Sequence, residues 1–164
     1  MRIKNTFVLF VILFLFWILI NNAFQGTQLL IGAGISLVLA LLFCRNCNVF
    51  NDLKLSPKAI FNSFIYLFIF SFELVKSNLD VARRVITPSL PIQPAIVRAK
   101  TKLKSPMGRL ILANSITLTP GTLTVDIEGD TLYIHWIDAK TADMGSATDK
   151  IVRKFEKYLE VIYG

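Results

Sequence analysis

The stretch Leu110–Asp138, LILANSITLTPGTLTVDIEGDTLYIHWID, decides how the rest of the chain is read. Two runs of alternating apolar and polar residues lie on either side of Glu128-Gly129-Asp130, and Thr119-Pro120-Gly121-Thr122 precedes the first. Period-two alternation around a glycine-containing connector predicts a β-hairpin. Leu123, Val125 and Ile127 are expected on one face of the first strand, turned toward the core. Thr122, Thr124 and Asp126 are expected on the other, with the Thr122/Thr124 face free to meet a partner. On the return strand Leu132, Ile134 and Trp136 oppose Tyr133, His135 and Ile137. Pro120-Gly121 fits a type II turn, in which proline pre-sets φ and glycine supplies a positive φ.

The flanks of the hairpin complete a small domain. Ala95–Leu103 alternates and predicts a strand, and Ser105-Pro106 opens a helix. Ser146-Ala147-Thr148-Asp149 has the form of a capping box. After it, Ile151, Val152, Phe155, Leu159 and Ile162 form one helical face. The order β-α-β-β-α predicts a small α+β layer over residues 95–164, helices on one face of the sheet. Residues 88–94, with prolines at 88, 91 and 94, form a stiff connector ahead of it.

The N-terminal part is of another kind. Residues 1–44 read as a pair of transmembrane helices. Arg2 and Lys4 precede an unbroken apolar run, Phe7–Ile20, and a second run covers Leu29–Cys44. No small-x-small cleavage pattern follows the first run, which argues against a signal peptide. Gly32, Ser36 and Ala40 recur every four residues, the pattern that lets another helix approach closely. Lys and Arg flank the pair, and the intervening Asn21–Gln28 loop has none, so the positive-inside rule puts both ends of the pair in the cytoplasm. Cys44 and Cys47 form C-x-x-C without further metal-ligand partners. They read as two incidental thiols, with redox and palmitoyl-type roles as alternatives.

Residues 45–87 hold a basic loop and a long helix opened by Ser56-Pro57. Phe61, Phe64, Ile65, Phe68, Phe72, Val75, Leu79, Ala82 and Ile86 form one stripe. The opposite face turns from apolar (Leu67, Ile69, Phe70) to charged (Glu73, Lys76, Asp80, Arg83, Arg84). Its fully apolar part is short for a span, and a crossing would place the basic C-terminal part outside. The favoured reading is a helix in or beside the membrane on the cytoplasmic side, and the alternative is a third span. The fold class is therefore a membrane protein: a hairpin of two transmembrane helices, a third amphipathic or membrane-spanning helix, and a small C-terminal α+β domain.

The net charge of +7 accompanies a chain that is 54% hydrophobic. Its basic residues flank apolar segments, which points to anionic lipid and topology control rather than nucleic acid. No catalytic constellation, phosphate loop or metal cluster is legible. His135 reads as a structural histidine, and Asp126, Glu128 and Asp130 as solvated turn acids. No ionisable residue lies between Phe7 and Cys44, so the chain is poorly equipped to carry an ion path. Glu73, Lys76 and Asp80 are the only candidates, and their spacing fits a salt-bridged face.

LANSITLTPGTLTVDIEGDTLYIHWID (112–138), with FELVKSNLDVARRVI (72–86) and the proline connector with Ile96-Val97, resembles the E subunit of the multisubunit Mrp/Mnh-type monovalent cation/proton antiporters of bacteria. Pro94-Ala95 departs from the proline-glycine of many members. The resemblance implies a multi-pass subunit of a bacterial cell membrane complex that exports Na⁺, or in relatives K⁺ or Li⁺, in exchange for H⁺. Large subunits related to the membrane arm of respiratory complex I would carry the ion paths, and the E subunit would serve assembly and activity. It implies no enzyme activity and no cofactor. The expected partners are the other hydrophobic subunits and membrane lipid, with no nucleic acid and no small-molecule substrate bound by this chain alone. The expected structural and interface residues are Gly32, Ser36, Ala40, Glu73, Asp80, Thr119, Pro120, Gly121, Thr122, Thr124 and Asp126. From another class, the alternative is a free-standing membrane-tethered module whose α+β domain, cytoplasmic on either reading, docks a protein or lipid.

Overall fold

The computed structural model describes residues 2–21, 25–44, 50–139 and 143–164, and the chain divides into two units, Met1–Asp52 and Leu53–Gly164. Among the described residues, three helices are long and apolar enough to cross a membrane, by length and composition alone.

The first unit is a pair of helices, α1 (Arg2–Asn21) and α2 (Gly26–Phe43). At about 1.5 Å per residue they measure about 30 and 27 Å, close to the thickness of a hydrocarbon core. They run antiparallel, because Trp17 near the end of α1 lies beside Gly32 near the start of α2. The Trp17 indole N–H also donates to the Gln28 carbonyl at 3.2 Å. The buried residues of α2 are Gly32, Ser36 and Ala40. A Cβ on Gly32 would lie 2.2 Å from Trp17 Cδ1, so the close approach requires glycine. Gly32→Leu should force the helices apart at a cost of about 1–3 kcal/mol, the range for overpacking. A lower unfolding temperature and a shifted Trp17 emission in detergent would register it; unchanged values would contradict the close packing. At the other end Asn5 is buried, and its Nδ2 donates to Asn51 Oδ1 at 2.7 Å, while Lys4 Nζ donates to the Asn51 carbonyl at 2.9 Å. Cys44 is disulfide-bonded rather than an incidental thiol. Cys47 lies outside the described residues.

The second unit starts with α3 (Pro57–Ile86), one unbroken helix of 30 residues. Ser56 is its N-cap, accepting the Ala59 N–H at 3.2 Å, and Pro57 takes the first turn, where its missing N–H costs nothing. There follow β1 (Ala95–Lys100), α4 (Pro106–Leu118), β2 (Thr122–Glu128) and β3 (Thr131–Trp136). The chain ends in a helix made of α5 (Met144–Ala147), a π-helical turn (Thr148–Val152) and α6 (Arg153–Tyr163). The sheet is antiparallel throughout, in the order β1-β3-β2, with Ala95 and Thr122 both opposite Trp136. The β-α-β-β-α domain is thus as the patterning predicts. β1 is shorter than the alternation suggests, stopping at Lys100.

Two local expectations fail for physical reasons. The last helix begins at Met144, capped by Asp143, whose carboxylate accepts the Ser146 N–H at 2.8 Å. Ser146 therefore lies inside the helix, one turn beyond the cap. The second failure is the face of β2. Leu123 and Val125 are 50% and 55% exposed, while Thr124 lies opposite the fully buried Ile134. A β-bulge between Thr124 and Asp126 inserts Val125 and flips the alternation, so that only Ile127 returns to the inner face, opposite Leu132.

The core lies between the sheet and the helices. Val97, Ala99, Leu132 and Ile134 come from the sheet, Leu112 and Ile116 from α4, and Ile151, Val152, Phe155, Leu159 and Ile162 from the last helix. Glu156, which the amphipathic pattern does not single out, is also buried. Its Oε1 accepts the Thr101 hydroxyl at 2.6 Å and the Lys102 N–H at 2.7 Å, tying the end of β1 to α6. Glu156→Ala should cost about 1–3 kcal/mol by stranding these donors. Glu156→Gln keeps an acceptor for both and should cost less. Equal losses for the two variants in denaturant unfolding would refute this clasp.

Candidate functional site

Gly32, Ser36 and Ala40 are buried on α2, and the candidate residues of the second unit fall into three groups. The first is the turn between α4 and β2. The Thr122 N–H donates to the Thr119 carbonyl at 3.2 Å, closing the turn around Pro120-Gly121, and Gly121 has φ +89°. Thr119 is buried, its hydroxyl donating to the Ser115 carbonyl at 2.7 Å. Thr122 donates to the Ile116 carbonyl at 2.6 Å, and Thr124 to the Ala113 carbonyl at 3.2 Å. The two threonines therefore bind β2 to α4 instead of presenting hydroxyls to a partner. The Ile116 carbonyl, in the last turn of α4, also accepts the Thr119 N–H at 3.2 Å.

The second group lines the inner face of α3. The Tyr66 hydroxyl is hydrogen-bonded to that of Ser115 on α4, and Tyr66 and Phe70 pack on Phe155 with ring centroids 6.4 and 6.3 Å away. Glu73 pairs with Lys154 of α6 at 2.7 Å and with Lys76 at 3.6 Å. Further along, Arg84 joins Asp80 at 2.7 Å, Asp138 at 2.9 Å and the Pro91 carbonyl at 2.7 Å. Arg84 thus clamps the proline connector to the helix end. Between these pairs lies an open cleft of about 270 Å³, lined by Glu73, Lys76, Ser77, Asp80, Thr119, Thr122, Trp136, Lys150 and Lys154 among others. Its acids are engaged in ion pairs, which gives it the character of a packed seam.

The third group is the outer face of the sheet. Ile96, His135 and Leu123 form one cross-strand row, with Val125 and Ile137 nearby. Gly121, Thr122, Leu123, His135 and Ile137 line an open groove of about 270 Å³. Toward the hairpin tip the face becomes charged: Lys100 pairs with Asp130 at 3.2 Å, which holds the Asp130 carboxyl below its ordinary pKa. The Tyr133 hydroxyl donates to Glu128 at 3.0 Å. Asp126 is exposed on the bulge, its Oδ1 accepting the Ile127 N–H at 2.7 Å. Among the described residues, no three His, Cys, Asp or Glu side chains are grouped to hold a metal ion.

Sequence reasoning missed Tyr66 and Phe70 as packing residues, although both lie on the face opposite the phenylalanine stripe and a helical-wheel reading could have paired them with the last helix. Glu156 left no such signal.

Comparison with known proteins bears on what this framework serves. A family model described as "Na+/H+ ion antiporter subunit" matches residues 10–162. The chain is 31% identical over 150 residues to the E1 subunit of the Na(+)/H(+) antiporter of Staphylococcus saprophyticus, covering 87% of this chain and 91% of that one. To the E subunit of the Na(+)/H(+) antiporter of Alkalihalophilus pseudofirmus it is 33% identical over 124 residues, 74% of this chain and 76% of the relative. A chain in the structure of the membrane-bound sulfane sulfur reductase, an archaeal respiratory membrane complex, superposes with a TM-score of 0.84 at 39% identity, covering 97% of this chain and 99% of that one. The hairpin signature, the apolar helices and these matches together lead to one assignment: the chain belongs to the family of E subunits of the multisubunit Mrp/Mnh-type cation/proton antiporters.

Proposed function

We propose that the chain is an accessory membrane subunit of a cation/proton antiporter assembly that exports Na⁺ in exchange for H⁺, serving assembly and stability while other subunits carry the ions. The observation that carries this reading is the distribution of charge. No Asp, Glu, Lys, Arg or His lies between Phe7 and Cys44, and the acids of α3 are bound in ion pairs with Lys76, Lys154 and Arg84. A proton or sodium path needs ionisable groups at membrane depth, which α1 and α2 lack. Their apolar surfaces suit contact with lipid and with other hydrophobic subunits. The lysines and arginines flanking the pair support a cytoplasmic location for the C-terminal unit.

Deletion of the gene should abolish Na⁺-dependent proton movement in inverted vesicles, and the tagged chain should co-purify with several hydrophobic subunits in mild detergent. A monomeric chain together with undiminished antiport would refute the proposal. For orientation, a cysteine replacing the exposed Glu128 should resist an impermeant maleimide added to intact cells and react after lysis; labelling in intact cells would put the domain outside.

A second reading has an observation of its own. The likeness, over 97% of this chain, to a chain of the membrane-bound sulfane sulfur reductase, an archaeal respiratory membrane complex, supports service in a respiratory membrane complex. Co-purification with redox subunits, and loss of an electron-transfer activity on deletion, would favour this second reading.

A further inference from the structure

The apolar stripe of α3 does not face the core of the protein. Phe64 and Phe68 are 70% and 71% exposed, and Phe61, Phe72, Val75 and Leu79 are likewise open. At 100° per residue these positions fall within one narrow arc. The opposite arc carries Tyr66, Phe70, Glu73 and Arg84, which hold α4, α6 and the segment after β3. The helix therefore has one face fixed to its own domain and a more hydrophobic face with nothing of this unit on it.

We infer that α3 lies flat in the membrane interface, its Phe61–Leu79 face sunk among lipid acyl chains and its Lys58 and Arg83 border on anionic headgroups. Two observations carry this. First, the contacts from Tyr66 to Arg84 run for 18 residue steps, about 27 Å of helix, nearly a hydrocarbon thickness. Were α3 upright across the bilayer, the domain fixed along it would be carried into the hydrocarbon. That domain exposes Asp149 and Arg153 on its last helix, and charge at that depth is costly. Second, Lys58, Lys76 and Arg83 project along one border of the stripe, where long basic side chains reach headgroups while their stems cover apolar surface. The arrangement does not depend on which complex the chain serves.

The test uses the full chain reconstituted in phosphatidylcholine–phosphatidylglycerol vesicles, with tryptophan in place of Phe64, Phe68 or Leu79 and the native protein as baseline. Lipids brominated near the headgroup should quench all three added tryptophans more than lipids brominated near the chain end, to within about twofold of one another, as for a helix buried about 5–10 Å. A depth that changes steadily from Phe64 to Leu79 would mean a crossing helix and overturn the inference. Absence of quenching at all three would also overturn it. The double variant Lys58→Glu/Arg83→Glu should lower the headgroup-region quenching at least twofold in these vesicles; no change would remove the anionic headgroups from the proposal. In membranes holding the whole complex, a benzophenone side chain at position 68 should cross-link to lipid. Cross-linking chiefly to another protein would show that a neighbouring polypeptide, not lipid, covers this face.

Discussion

Gly121→Val should destabilise the α+β domain by about 2–5 kcal/mol and reduce the amount of assembled complex in proportion. Gly121 occupies the turn at φ +89°, a conformation that costs an L-residue about 1–2 kcal/mol and a β-branched one more. Space is short as well. A Cβ at this position would lie 3.0 Å from Ile137 Cγ2 and 3.8 Å from Val81 Cγ2, so Val adds overpacking of about 1–3 kcal/mol. The residue cannot simply rotate away, because its carbonyl accepts the Ile137 N–H at 2.9 Å. Gly121→Asn, which tolerates positive φ, should lose less. Thermal unfolding of the detergent-solubilised chain, with quantification of co-purified subunits, checks both variants. Wild-type stability and assembly for the valine variant would rule out a turn that depends on glycine.

Phe155→Ala should have an effect of similar size, about 3–5 kcal/mol, the range for emptying a buried aromatic site. Phe155 is fully buried, at the junction where Tyr66 and Phe70 of α3 meet the last helix. Its loss should therefore also loosen α3, with hydrogen exchange rising along Ser63–Ser77 as well as in α6. A small domain has only about 5–15 kcal/mol in total, so much of its margin would disappear. Phe68→Ala, on the outer face, should change unfolding of the domain by no more than about 0.5 kcal/mol. If the two variants were equally destabilising, the division of α3 into an inner and an outer face would be wrong.

These variants also mark what could be read from the chain beforehand. The hairpin around Gly129, the Pro120-Gly121 turn and the starts at Ser56-Pro57 and Ser105-Pro106 were legible because each rests on local chemistry: positive φ at glycine, and a side-chain acceptor ahead of proline. The direction in which a face points was not. In β2 a single inserted residue, Val125, reverses the alternation, and a bulge leaves no mark on a period-two pattern. In α3 the stronger stripe faces outward. Near lipid the most apolar face need not be the packing face, since acyl chains solvate it as well as a core does. Glu156 escaped notice because a buried carboxylate held by Thr101 and a backbone N–H requires knowing where β1 ends.

The central claim is that this chain holds a complex together and does not pass ions through its own acids. The double variant Glu73→Gln/Asp80→Asn tests it, with Na⁺-dependent proton movement in inverted vesicles normalised to the amount of complex assembled. Both acids sit in ion pairs, with Lys154 and Arg84 respectively, so the variant should weaken packing. Transport per assembled complex should equal that of wild type, whatever the yield. A complex assembled at normal level with transport abolished would place these carboxylates on the ion path and contradict the claim.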